Sequence, residues 1–153
     1  MFETAYEELD WFLNDFEDPS VLDYWYDLAF EDAMDIIGQF TEDDWRRLFE
    51  NLPQKPDWWK ERLVYCLDKE NDPHHFRVLE ETLHTDNDAL FVKTAESLSV
   101  DFKDMPLHCD EKITKKVNDM LSMAKPKSVV WDVLSDLKEN SCGRHRTTDI
   151  ANK

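Results

Sequence analysis

Glycine is nearly absent: the 153 residues hold two, at positions 38 and 143. β-Rich folds need turn glycines, so this scarcity predicts helices joined by short polar or proline-containing corners. It also rules out a Gly-rich phosphate-cradling loop. Cysteine is scarce too. Cys66, Cys109 and Cys142 form an odd set with no CxxC spacing, which predicts thiols in a reducing, cytoplasmic compartment. No apolar run approaches the ~20 residues that a membrane-spanning helix needs. The opening MFETAYEELD has neither the basic start nor the apolar stretch of a secretory signal. Basic residues are rare at the front of the chain. Residues 1–50 carry 16 acidic side chains and two arginines, a net charge of −14. Residues 51–153 carry 19 acidic and 16 basic side chains, a net −3, which completes the total of −17. Such concentrated negative charge repels nucleic acid and anionic membranes and attracts basic proteins.

Large apolar side chains are plentiful. Hydrophobic residues make up 41 % of the chain, with six Trp and nine Phe. That is enough for a real core, and the length suits a single domain. The apolar residues recur at steps of three and four, which predicts an all-α fold of about eight helices. The first covers about 3–16, with Leu9, Phe12, Leu13 and Phe16 inward, and Asp18-Pro19-Ser20 ends it. Ser20 is the expected cap of a second helix over about 21–39, whose stripe is Leu22, Trp25, Tyr26, Ala29, Ala33, Ile36, Ile37 and Phe40. Thr41-Glu42-Asp43-Asp44 opens a third helix, with Thr41 as cap and three acids in the first turn, where the helix dipole favours them. Trp45, Leu48, Phe49 and Leu52 face inward, and Pro53 and Pro56 make the corner. Further helices are expected over about 57–69, 73–84, 88–99, from Asp110 to the Lys125-Pro126 break, and from about Val129 to Glu139. A loop is expected at Phe102–Leu107. Residues 1–139 then form one all-helical domain, and the polar residues 140–153 a flexible tail.

Two helix pairs match at a spacing of about 31 residues. Trp45, Leu48 and Leu52 correspond to Phe76, Leu79 and Leu83. Trp59, Val64 and Leu67 correspond to Leu90, Ala95 and Leu98. One step upstream, Leu28, Ala33 and Ile36 take the second-helix positions. A helix pair cannot bury its apolar face alone, so such pairs stack. The expected architecture is stacked antiparallel helix pairs in a right-handed array, with an irregular helical bundle as the alternative.

The segment Thr41 to Leu98, TEDDWRRLFENLPQKPDWWKERLVYCLDKENDPHHFRVLEETLHTDNDALFVKTAESL, resembles a HEAT-like helical repeat. It is similar to the small acidic immunity proteins of bacterial contact-dependent growth inhibition and related polymorphic toxin systems. Trp59-Lys60-Glu61-Arg62, the Leu67-Asp68 corner and Asp72-Pro73 carry the resemblance, which covers about 60 of the 153 residues. It implies a cytoplasmic inhibitor that binds a cognate toxin, often a basic nuclease, and blocks its active site.

Catalytic and metal chemistry find little footing. Carboxylate pairs are expected by chance among 35 acidic residues. Glu81 and His84 make a single Glu-x-x-His, where a di-iron bundle needs two plus two further glutamates. His108, Cys109 and Cys66 lack the local spacing of structural zinc. The basic groups Lys112-Lys115-Lys116 and Lys125-Lys127 read as solvated surface. No enzyme activity, cofactor, metal, nucleic acid or membrane is expected.

The acidic stripe stands out. Asp23, Asp27, Glu31 and Asp35 follow one another at steps of four, a spacing that costs a few tenths of a kcal/mol per like-charged pair. With Asp32, Glu42, Asp43 and Asp44 they form the candidate partner-binding surface, and Tyr24 and Phe30 are the aromatics expected to be reachable beside them. The expected partner is a toxin with a basic surface. The rival expectations are a helical-repeat adaptor and a nucleic-acid mimic aimed at a DNA-binding protein; a solvated acidic face is the plain structural alternative.

Overall fold

The computed structural model of the chain describes residues 2–67, 72–101, 107 and 109–142. Among these, every regular element is helical. The elements are α1 (Ala5–Asn14), a 3₁₀ turn (Pro19–Val21), α2 (Leu22–Tyr24), a π segment (Trp25–Ala29), α3 (Phe30–Ile37), α4 (Glu42–Asn51), a 3₁₀ turn (Leu52–Gln54), α5 (Asp57–Tyr65), α6 (Pro73–Thr82), α7 (Asp88–Asp101), α8 (Glu111–Met123), α9 (Val129–Asp136) and a second π segment (Leu137–Cys142). Because α2, the first π segment and α3 run on without a break, they make one helix over 22–37. The expected loop at 102–106, His108 and the tail from 143 lie outside the described residues. The last helical rod, however, continues through Cys142, past the expected boundary at 139.

The caps follow side-chain chemistry. Thr4 accepts from the Glu7 amide, Asp72 from His74, Asp110 from Ile113 and Ser128 from Trp131. Asp18, not the expected Ser20, caps the turn before helix 22–37, accepting from the Ser20 amide at 2.9 Å. Pro19 takes the first helical position, where its preset φ fits and no donor is missed.

The chain divides into two compact units, Met1–Leu67 and Asp68–Lys153. In the first, α1 packs against α3, α4 and α5. Its core holds Leu9, Leu13, Trp25, Ala33, Leu48, Trp59 and Leu63, all essentially inaccessible. In the second, α7 packs against α6, α9 and the final π segment. There Val78, Leu79, Phe91, Leu98, Val117 and Leu134 are buried.

The 31-residue spacing extends to helix boundaries. α4 and α6 begin at Glu42 and Pro73 and end at Asn51 and Thr82, while α5 and α7 begin at Asp57 and Asp88. All twelve side chains matched between the two pairs are buried. The upstream copy fails at its first position, since Leu28 lies 59 % exposed.

Two polar groups join elements of the first unit. The Asp44 carboxylate accepts from the Thr41 amide (2.9 Å), the Thr41 hydroxyl (3.1 Å) and, across the unit, the Tyr6 amide (3.1 Å). It therefore closes the capping box of α4 and satisfies an orphan amide in the first turn of α1. Arg62, also buried, donates from Nε to the Phe16 carbonyl at 3.3 Å, just past the end of α1.

The cysteines do not behave alike. Cys66 is a buried free thiol, as its apolar position predicts, but Cys109 is disulfide-bonded. The expectation of three thiols fails at Cys109.

Replacing Asp44 with Ala removes one half of the capping box and leaves the buried Tyr6 amide unmet, so the unfolding free energy should fall by about 2–3 kcal/mol. Asp43→Ala, next to it on the solvent side, should lose less than about 1 kcal/mol. Urea denaturation of the two variants measures the difference.

Candidate functional site

Helix 22–37 buries Trp25, Ala29, Ala33, Ile36 and Ile37. Its first buried residues step by four. An α-helix closes a turn in 3.6 residues, so repeated steps of four drift around the axis. The π segment holds more residues per turn and takes up that drift. Trp25, Ala29 and Ala33 consequently stay on the core side, and the outward side is kept in register as well.

That outward side exposes Asp23 with Tyr24, then Asp27 with Leu28, then Glu31 with Asp32, then Asp35. Each turn presents a carboxylate. In the first two turns a large apolar side chain sits beside it, Tyr24 at 56 % and Leu28 at 59 % exposure. The structure thus brings Asp23, Tyr24, Asp27, Glu31, Asp32 and Asp35 onto one helix face. Leu28, assigned by the repeat to a core position, belongs to this face instead.

The remaining candidates are placed differently. Phe30 is half-buried, its ring edge-on to Tyr65 at 5.2 Å. Glu42 is exposed in the first turn of α4. Asp43 is exposed but tied back to Arg46 on its own helix. Asp44, only 4 % exposed, is withdrawn from any docking surface by the internal bonds described above. Sequence periodicity does not reveal Tyr65, whose ring meets both Tyr26 (4.9 Å) and Phe30. The Tyr26 hydroxyl donates to Glu61 at 3.1 Å. Burial, and then the Glu61 charge, push the Tyr26 pKa upward, so the phenol remains a neutral donor.

The electrostatics of the face follows from the scarcity of cations in its unit. Residues 1–67 carry eighteen acidic and five basic side chains, a net −13. Four of those five cations are engaged: Arg46 with Asp43 and Glu50, Arg47 with Glu7, Lys55 with Asp10, and Arg62 with Glu61 and the Phe16 carbonyl. Among the described residues no ion pair reaches Asp23, Asp27, Glu31, Asp32 or Asp35. Asp35 also lies in the last turn of α3, against the negative end of the helix dipole, with no basic residue there to offset it.

The other charged groups hold structure together. His84 pairs with Asp110 at 2.9 Å, and Glu81 bonds Arg77. The basic run on α8 is tied down as well: Lys112 donates to the His84 carbonyl, Lys115 to Asp119 and Lys116 to Asp88. The His84–Asp110, Lys112 and Lys116 contacts fasten the start of α8 to the corner between α6 and α7, while Lys115–Asp119 lies within α8. A shallow cavity of about 480 Å³ lined by Asp110, Glu111, Lys115 and Asp119 draws on the same groups. Among the described residues no cluster of His, Cys, Asp and Glu has the arrangement of a metal site, and no helix is long and apolar enough to cross a membrane.

Comparison with protein-family models, curated proteins and solved structures gives no match.

Crowding of unpaired carboxylates carries a stability cost that can be measured. Changing Asp23 and Asp27 to Asn, Glu31 to Gln and Asp35 to Asn removes three like-charge steps, each costing a few tenths of a kcal/mol. The quadruple variant should be more stable by about 1 kcal/mol in low salt, with the gain shrinking at 1 M salt as screening shortens to about 3 Å. Thermal melts at the two salt concentrations provide the comparison.

Proposed function

We propose that the protein is an immunity-type inhibitor that binds a basic toxin domain through the outward face of helix 22–37 and obstructs access to its active site. One observation carries this reading: five carboxylates share a helix face with no counter-cation among the described residues, although most cations of the same unit are paired with other acids. A carboxylate row of this kind complements a positive surface, and a nuclease cleft shaped for phosphates has one. Tyr24 and Leu28 lie within the row and supply the apolar contact that charge alone does not, since binding energy concentrates in desolvated anchors. The resemblance of residues 41–98 to acidic immunity proteins points the same way. No step requires a cofactor or a catalytic residue. The cytoplasm is the matching compartment, because that is where such a toxin acts; with Cys109 oxidised, the cysteines do not argue for it.

Co-expression with a basic toxin domain, taken from any toxin gene that adjoins this protein's own, tests the proposal. Growth should be rescued, and the two chains should elute together from a sizing column. Loss of growth together with separate elution overturns the reading. Co-elution without rescue would make the protein an adaptor instead. In the quadruple neutral variant, association should slow by about tenfold or more at low ionic strength, the range expected when steering is lost. Stopped-flow mixing reads this directly, and an unchanged rate would move the interface off helix 22–37.

A further inference from the structure

Of the six tryptophans, five are buried or half-buried, while Trp11 is 57 % exposed. It lies on α1 two residues from both Leu9 and Leu13, about 200° around the helix from each, and so points away from the core they fill. Its one described ring contact is Phe2, 39 % exposed, with centroids 5.4 Å apart. Two exposed aromatic rings thus form a patch on the outer side of α1.

The surroundings of the patch select its occupant. Glu8 and Asp15 stand three residues before and four after Trp11, on the same side of the helix. Neither enters a described ion pair. Asp15 is the C-cap of α1, whose last turn has no basic residue, so its carboxylate faces the negative end of the dipole. A neutral apolar partner would strip water from both carboxylates without replacing it. A second copy of this chain, also at −17, would set those carboxylates against more negative charge. A guanidinium meets every demand, because its flat face stacks on an indole while its edge donates to carboxylates.

We propose that Trp11, backed by Phe2 and flanked by Glu8 and Asp15, is a receiving surface for an arginine side chain of a basic protein partner. The inference rests on the reading that the protein binds a basic partner, and it adds a second anchor, on a different helix from the acidic row.

Octa-arginine and octa-lysine, equal in charge, serve as probes, with calorimetric titration of the full chain at low salt. Trp11→Ala should weaken octa-arginine binding about two- to fivefold, the range of an exposed cation–π contact, and change octa-lysine binding less. Trp11→Phe should retain most of the arginine preference. Glu8→Gln with Asp15→Asn should weaken both peptides alike. Equal effects of Trp11→Ala on the two peptides, or none on either, overturn the proposal. So does self-association of the unaltered protein that disappears in Trp11→Ala, which would give the patch to a second copy. Failure of the acidic-row reading is seen separately, as an unchanged association rate in the helix 22–37 variant, and leaves the arginine–lysine difference readable.

Discussion

The first unit is short of positive charge, and most of its surface architecture follows from where its few cations go. Arg47 and Lys55 hold acids of α1 to the α4–α5 region, and Arg62 reaches the chain just beyond α1. Arg46 remains on α4, between Asp43 and Glu50. Helix 22–37 receives none of them. Its inner side is held by burial of Trp25, Ala29, Ala33, Ile36 and Ile37, which stabilises by about 25 cal/mol per Å² of apolar area removed from water. Packing against α1 therefore outweighs repulsion along the outer side, and the fold tolerates a row of like charges that an isolated helix would resist.

The helices, their order and most of the core are legible in the residues, because apolar spacing and capping chemistry agree. Thr41 caps where the pattern places it, and Asp110 stands at the start of α8 as expected. The 31-residue correspondence is legible down to helix boundaries, since equivalent corners need equivalent starts. Three features lie beyond local pattern. Asp44 reads as a surface acid because the amide it accepts from, at Tyr6, is 38 residues away. The π segment is hidden because steps of four are compatible with an α-helix, and only the backbone shows the wider turn at Trp25–Ala29. Arg62 is drawn inward by a partner 46 residues away, a carbonyl past a helix end that needs a donor.

The candidate site is legible in part for the same reason. Charges that answer only to solvent, such as Asp23, Asp27, Glu31, Asp32 and Asp35, stay where helical periodicity puts them. Those with neighbours are diverted: Asp43 to Arg46 and Asp44 to the interior. The aromatics divide likewise. Tyr24 is exposed although it stacks on Phe16 at 6.3 Å, whereas Phe30 is drawn partly inward by Tyr65. Trp11 stands out only when burial on α1 is known residue by residue.

The bond from the Tyr6 amide to Asp44 has a consequence for how the chain comes apart. Leading helices ordinarily fray first and alone, because few contacts restrain them. Here the loosening of α1 at Tyr6 also strips a partner from the carboxylate of the α4 capping box, so the openings of two helices distant in sequence are coupled. Amide exchange at the start of α1 should therefore keep pace with exchange at the start of α4, and a nick or strain near either would be felt by both.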